Sequence, residues 1–179
     1  MSHDLSQFLS TEDAARYQQH LASYTKTWSP VGEHEENLVQ AIAHAWWRLA
    51  RIPVLEEALY WKGARQFESK VADLPPAVRP AMLRLETYLA YEKQFRNLAS
   101  QERALARHAA QLKAELENVQ QTRNRKEAQN FSIAAALYTD AKREGKKYDP
   151  QADGFEFSTT DLDDYLRGQR AATGYRFAR

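Results

Sequence analysis

The chain has 179 residues, 43% hydrophobic and 27% charged, as expected for one globular domain with or without an appended arm. Its 25 basic residues nearly balance its 24 acidic ones, so a site for nucleic acid or a membrane surface has to be local. The sequence contains no cysteine, which excludes disulfides, thiolate metal sites and cysteine nucleophiles.

No segment of the sequence resembles a targeting or membrane-spanning element. The first residues, MSHDLSQFLS, have neither the basic nor the apolar region of a secretory signal. Nowhere do about 18 apolar residues follow one another, which is the length that a spanning helix needs. We therefore predict a cytoplasmic protein that does not enter a membrane.

Glycine and proline are scarce, with six residues of each, which favours a small number of long helices. The first helix is predicted to begin at Ser10, whose hydroxyl can accept the first free N–H groups, and to end before Ser29. The second is predicted over residues 31–67. Pro53 lies inside it and should bend it, because proline has no N–H for the helical hydrogen-bond ladder.

The third predicted helix, from Ala77 to about Lys126, has the most regular apolar pattern. Its seam residues follow steps of four and three, the 3.5-residue period of coiled coils and antiparallel helix pairs. They are Tyr91, Phe95, Leu98, Glu102, Leu105, Ala109, Leu112, Leu116 and Val119, of which Glu102 alone is charged. Such a helix would be roughly 75 Å long. The second helix cannot cover that length, so the far end requires a fourth helix or a second chain.

The pattern lapses after Val119 and returns at Phe131, so residues 131–145 are predicted to be either a fourth helix or a continuation of the third. Residues 146–154 are predicted to form a loop, and residues 155–157 a short extended piece. A last short helix is predicted to begin at Thr160. The remaining basic tail is predicted to be loose unless a partner orders it.

Together these elements predict an all-α protein with three segments. Residues 1–30 form an N-terminal helix that crosses a long antiparallel helical hairpin made by residues 31–145. The third helix extends beyond this hairpin as a coiled-coil-like arm. Residues 146–179 contain the loop, the short helix and the flexible basic tail.

Motifs for catalysis and metal binding are incomplete in this sequence. His34-Glu35 begins like the zinc-protease helix motif, but the second histidine would have to be at position 38, which is Leu. No Glu has a His three residues after it, as a di-iron carboxylate bundle requires. Serine-nucleophile motifs and phosphate-binding glycine loops do not occur either. We therefore predict no enzymatic activity, no metal and no cofactor.

Trp47 lies on the opposite side of the second helix from the main seam of that helix, which consists of Leu38, Ile42, Ala45, Leu49 and Ile52. Trp46 lies at the edge of the seam, where it can widen the core. A helix that is apolar on two sides is usually buried on both. Trp47 therefore either meets another helix of the same chain or marks a partner surface. The predicted protein interface consists of Trp47, Leu105, Leu112, Leu116 and Val119.

The region from residue 123 to residue 147 has a local excess of positive charge. Seven basic residues stand against three acidic ones, a net charge of +4. Such a run is usually a solvated helix face, but it could also bind phosphate groups. The candidate nucleic-acid contacts are Arg123, Arg125, Lys126, Lys142, Arg143, Lys146 and Lys147.

Three stretches carry a resemblance to known proteins: FLSTEDAARYQQHLASY, LVQAIAHAWWRLARIPVLEEAL and LRLETYLAYEKQFRNLASQERAL. Over residues 8–112 the chain resembles an uncharacterised family of small bacterial helical proteins. Members look like two- or three-helix units, so the resemblance implies an all-α fold and no particular activity. The chain departs from the family at Pro53, where a helix former is expected, and residues 1–7 contain no basic tail of the kind that precedes the helices in many members.

The sequence as a whole predicts a non-enzymatic helical assembly or accessory protein. It would form a homo-oligomer or dock on a protein partner through its helix seams. The alternative is a nucleic-acid-binding accessory subunit of a DNA- or RNA-processing system, which would use the basic region.

Overall fold

The computed structural model describes the backbone of residues 11–174 and the side chains of residues 13–168. Every regular element in this range is helical, which confirms the all-α prediction. Ser10 and residues 175–179, where the first cap and the end of the basic tail are predicted, lie outside the described range. The helices are α1 (Thr11–Trp28), α2 (Gly32–Phe67), α3 (Arg79–Ala90), α4 (Glu92–Arg143) and α5 (Thr159–Gly174), with 3-10 turns at Glu68–Val71 and Pro150–Asp153. Among the described residues, no helix has the length and apolar character needed to cross a membrane.

The chain divides into two compact units, residues 1–117 and 118–179. The division falls inside α4, whereas the sequence predicted a boundary near residue 145, where that helix ends. The reason is that Ala134 and Ala135 of α4 belong to the same buried cluster as Leu162 of α5. Residues 131–143 continue α4, which decides between the two predictions for this stretch.

In the first unit, α2 packs against both α1 and α3. The predicted main seam of α2 is confirmed, since Leu38, Ile42, Ala45 and Ile52 are buried and Leu49 is half-buried. Tyr17 is the buried aromatic side chain that α1 contributes. α2 and α3, which contact each other, are joined by residues 68–78. The rest of the predicted hairpin, and the coiled-coil-like arm that extends beyond it, stay predictions.

α2 and α3 approach each other closely at Gly63. A Cβ atom placed there would lie 2.2 Å from both Cγ2 and Oγ1 of Thr87. Thr87 is itself buried, and its hydroxyl donates to the carbonyl of Leu83 at 2.7 Å. The absence of a side chain at Gly63 therefore allows the two helices to approach each other closely.

The connection between α1 and α2 is short, and one carboxylate organises it. Ser29, with φ of 43°, and Gly32, with φ of 78°, turn the chain in the left-handed region. The buried Glu35 accepts a hydrogen bond from the backbone N–H of Val31 at 3.0 Å, which satisfies one of the free donors at the start of α2. This carboxylate, which the sequence analysis did not assign, stabilises the helix start.

A single break at Tyr91 separates α3 from α4 (φ −113°, ψ 21°), in a stretch that the sequence predicted to be one helix. Helical hydrogen bonds continue on both sides, since the N–H of Tyr91 donates to Thr87 and the N–H of Phe95 donates to Tyr91. The seam spacing predicted burial correctly. Its buried members are Phe95, Ala109 and Leu116, and its half-buried ones are Tyr91, Leu98, Leu105, Leu112 and Val119, with Glu102 exposed.

The second unit has a small core that is surrounded by aromatic side chains. Partly buried rings pack around Ala134, Ala135 and Leu162; they belong to Phe131, Tyr138, Tyr148, Phe155, Phe157 and Tyr165. No strand forms at residues 155–157, contrary to the predicted extended piece. The last helix begins at residue 159 because Ser158 and Asp161 cap each other: the Ser158 N–H donates to the carboxylate of Asp161, and the Asp161 N–H donates to the Ser158 hydroxyl.

Candidate functional site

Trp47, the central residue of the predicted interface, packs against α1. Its ring makes an edge contact with Tyr17 at a centroid distance of 5.6 Å and a tilted contact with His20 at 5.6 Å. The guanidinium of Arg51 lies over the ring, 5.7 Å from its centroid. The second apolar side of α2 is therefore covered by a helix of the same chain, which was the other reading of the sequence.

The two histidines near Trp47 have packing roles. His20 makes a hydrogen bond through Nε2 with the carbonyl of Ala43 at 2.9 Å and so joins α1 to α2. His44 has a buried Nδ1 with no hydrogen-bond partner among the described residues, and its ring makes an edge contact with Tyr17. Burial, and secondarily the positive charge of Arg48, lowers the pKa of His44 below its ordinary value.

The predicted interface residues of α4 are more covered than an exposed seam would be. Leu116 has 0% exposed surface, so it is a core residue of the single chain and a partner cannot touch it. Leu105, Leu112 and Val119 are half-buried. Since part of each of these three side chains is accessible, their role in an interface stays a prediction.

An exposed apolar surface is found on another face of α2. Trp46 is 47% exposed, Val54 67% and Trp61 62%. We refer to this face as the tryptophan stripe and define it as Trp46, Ala50, Val54, Ala58 and Trp61, all of which are exposed. At 100° per residue its members fall within a sector of about 120°. Sequence reasoning placed Trp46 at the core edge and did not assign Trp61.

A cleft of about 270 Å³ adjoins the Trp61 end of the stripe. Its lining comes from α2 and α3: Glu57, Tyr60, Trp61, Ala64, Pro80, Leu83, Arg84 and Thr87. Two guanidinium groups lie over aromatic rings, Arg65 over Trp61 at 4.9 Å and Arg84 over Tyr60 at 5.2 Å. These contacts hold the rings while leaving most of Trp61 exposed. On α3, Leu85 and Leu89 are also exposed.

The candidate nucleic-acid contacts divide into two groups. Three of them are in ion pairs: Lys142 with Asp163 at 3.5 Å, Arg143 with Asp140 at 3.4 Å, and Lys146 with Glu144 at 2.7 Å. The pKa of Lys142 is raised by its hydrogen bond with Tyr138 and by the charge of Asp163.

Three of the other candidate contacts are more available. Arg125, Lys126 and Lys147 are exposed and form no ion pair with the described side chains. Arg123 is half-buried in the second unit. The available positive charge is therefore smaller than the net charge of +4 that the sequence indicates for this region.

Among the described residues, no group of three or more His, Cys, Asp or Glu side chains could hold a metal ion. Comparisons with family models, with curated proteins and with solved structures give no match for this chain. The resemblance to small bacterial helical proteins therefore stays a prediction.

Proposed function

We propose that the protein is a non-enzymatic helical assembly or accessory protein of the cytoplasm, which docks on a second copy or another protein through exposed helix faces. The observation that supports the proposal is the tryptophan stripe, with two tryptophans and a valine more than 45% exposed on one helix face. Soluble proteins rarely expose contiguous apolar patches without using them, and tryptophan is enriched among the residues that dominate binding energy.

The docking mechanism is desolvation of this face when another helix lies along it. Glu57 falls within the same sector and is exposed, so a polar group breaks the apolar surface near its middle. A partner helix with a donor at this point would satisfy that carboxylate. Arg65 is also exposed beside Trp61, which gives the contact a charged rim.

The test measures the mass of the full chain by light scattering after size exclusion, at low and high salt and after nuclease treatment. We expect a nuclease-resistant assembly that persists in salt, because apolar burial is not screened by salt. Trp46→Ala and Trp61→Ala should each weaken the assembly by about 2 kcal/mol or more, which is roughly 30-fold in the dissociation constant, without loss of helicity.

Trp47→Ala is the matched control, because it removes the same side chain from the same helix at a packed position. It should lower the melting temperature and leave the mass of the assembly unchanged. A single-chain mass at every concentration would contradict self-assembly. If Trp47→Ala dissociated the assembly while the stripe variants did not, docking through the stripe would be wrong.

A second candidate is a nucleic-acid-binding accessory subunit, which the exposed Arg125, Lys126 and Lys147 favour. Binding through these residues would fall steeply with salt, because each phosphate contact releases a condensed counterion. Charge reversal at any of the three should then weaken the binding of an oligonucleotide. Salt-independent binding would count against this candidate.

A further inference from the structure

The second unit contains a cleft of about 340 Å³, within the range of small-molecule sites. One wall is a face of α4, and the other is the segment that leads into α5. The α4 residues are spaced by three, one, three and one, which puts them on one side of the helix. The lining consists of Arg123, Lys126, Glu127, Asn130, Phe131, Gly154, Phe155, Glu156 and Phe157.

The aromatic side chains of this cleft belong to a series of stacked rings. Phe157 lies between Phe131, at a centroid distance of 4.1 Å with planes 15° apart, and Phe155, at 5.2 Å with planes 21° apart. Tyr165 continues the series beyond Phe131 at 5.5 Å. Phe155 forms the other end and contacts no further ring among the described side chains. Phe155 also lines the cleft, so the part of its ring that borders the cleft offers a surface on which another planar ring can stack.

The polar groups around this ring carry both signs of charge. Arg123 and Lys126 supply positive charge, and Glu127 and Glu156 supply an equal number of carboxylates. The cleft is thus not a general groove for polyanions. Lysine and arginine bind phosphate, while a carboxylate accepts hydrogen bonds from the exocyclic amino group of a base. Asn130 can both donate to and accept from a base edge.

We propose that this cleft binds a nucleoside phosphate, with the base stacked on Phe155, its amino edge toward a glutamate, and its phosphate on Lys126. The same chemistry is offered by a free nucleotide and by one nucleotide of a single strand. The inference goes beyond the docking role assigned to the first unit. In its single-strand form it rests on the nucleic-acid candidate and gives that candidate a specific contact.

The test is calorimetric titration of the full chain with adenosine, cytidine, guanosine and uridine monophosphates, and separately with single-stranded pentanucleotides. Unphosphorylated nucleosides and inorganic phosphate are the controls. We expect binding of monophosphates that carry an exocyclic amino group, weaker binding of uridine monophosphate, and about tenfold or greater loss without the phosphate. Backbone amide shifts on nitrogen–proton spectra should change at residues 154–157.

Two variants locate the site. Lys126→Glu should raise the dissociation constant about tenfold or more, because it replaces a charge-assisted contact with repulsion. Arg125→Glu is the matched control in the monophosphate titrations, since Arg125 is an exposed cation one position away that does not line the cleft, and it should change the dissociation constant of a monophosphate less than about twofold. Phe155→Leu retains apolar volume without the planar face and should also weaken binding about tenfold.

The outcomes separate the two proposals. Monophosphates that bind as tightly as pentanucleotides would support the cleft and remove the nucleic-acid role. Pentanucleotides that bind more tightly, with Lys126→Glu more damaging than Arg125→Glu, would support both. Equal damage by the two charge reversals would overturn the cleft and retain diffuse nucleic-acid binding. No binding of any nucleotide at millimolar concentration would overturn both.

Discussion

The cores of the two units of this protein consist of different residue types. The first is organised by aliphatic residues at helical spacing, such as Leu38, Ile42 and Ile52 along α2. The second has a core of two alanines and a leucine surrounded by aromatic rings, two of which, Phe155 and Phe157, lie outside any helix. Helical periodicity therefore identifies the core of the first unit, but in the second unit it cannot identify Phe155 and Phe157, which lie outside any helix.

The largest effect is expected at Leu162, the single buried leucine of the second unit, and it tests whether the stability of that unit depends on this side chain. Leu162→Ala should reduce the free energy of unfolding of that unit by about 3 kcal/mol, because the side chain has 0% exposure and its removal leaves a cavity. Hydrogen exchange measured by mass spectrometry should show faster exchange in residues 118–168 and little change in residues 13–90.

Leu137→Ala is the control for this experiment, since that side chain on α4 is 43% exposed. It should cost well under 1 kcal/mol, as surface substitutions usually do. If Leu162→Ala accelerated exchange equally throughout the chain, the two units would unfold as one, and the contrast between them would be one of composition only.

A smaller effect is expected at the α2–α3 contact of the first unit. Gly63→Ala should destabilise the fold by about 1–3 kcal/mol, because the new methyl group collides with the buried Thr87. Chemical denaturation monitored by circular dichroism measures the loss. Combining it with Thr87→Ala should recover part of the loss, since that change removes the two nearest of the three colliding atoms and leaves Cβ, which lies 2.6 Å away.

Gly168→Ala provides the matched comparison in α5. A Cβ atom at that position has nothing within 4 Å, so the change should be neutral or stabilise the helix by up to about 1 kcal/mol. If both glycine variants were equally tolerated, α2 and α3 would not be as close at Gly63 as the structure has them. Helix propensity favours alanine over glycine at both positions, so the difference between the two expected results comes from the collision at Gly63.

Particular residues show how far sequence reasoning reached. The spacing of the α4 seam predicted the burial of Phe95, Ala109 and Leu116, because helical periodicity follows directly from backbone geometry. The break at Tyr91 could not be predicted, since no glycine or proline marks it. Spacing also cannot distinguish an inward seam from a partner surface, which is why Leu116 was assigned to an interface and is in fact core.

The tryptophans illustrate the same limit within one helix. Trp46 and Trp47 are adjacent, yet the first is exposed and the second packs on Tyr17 and His20. The sequence placed them on different sides of α2 correctly. Which side of α2 is covered by α1 depends on the direction that the chain takes through Ser29 and Gly32. Both residues have a left-handed backbone conformation, and the spacing of apolar residues does not predict the turn that they make together.

The smallest expected effect is a pH dependence of the free energy of unfolding, which arises from His44 at the α1–α2 contact. Burial and Arg48 lower the pKa of His44 in the folded state below the ordinary value of 6.5. As pH falls through 6.5 the unfolded chain binds a proton at this residue that the folded chain resists, so the free energy of unfolding decreases. The decrease continues until the pH is below the pKa of the folded state, where both states are protonated.

His44→Gln should remove this part of the pH dependence, because glutamine does not titrate. Denaturation midpoints measured between pH 5 and pH 8 would give a flatter profile for the variant than for the parent chain. His34→Gln, an exposed position on the same helix, should leave the parent slope unchanged. A steeper loss at high pH than at low pH in the parent chain would mean that protonated His44 is favoured by the fold. The aromatic contact between α1 and α2 would then hold a charged imidazole, and the packing role of His44 would have to be replaced by an electrostatic one.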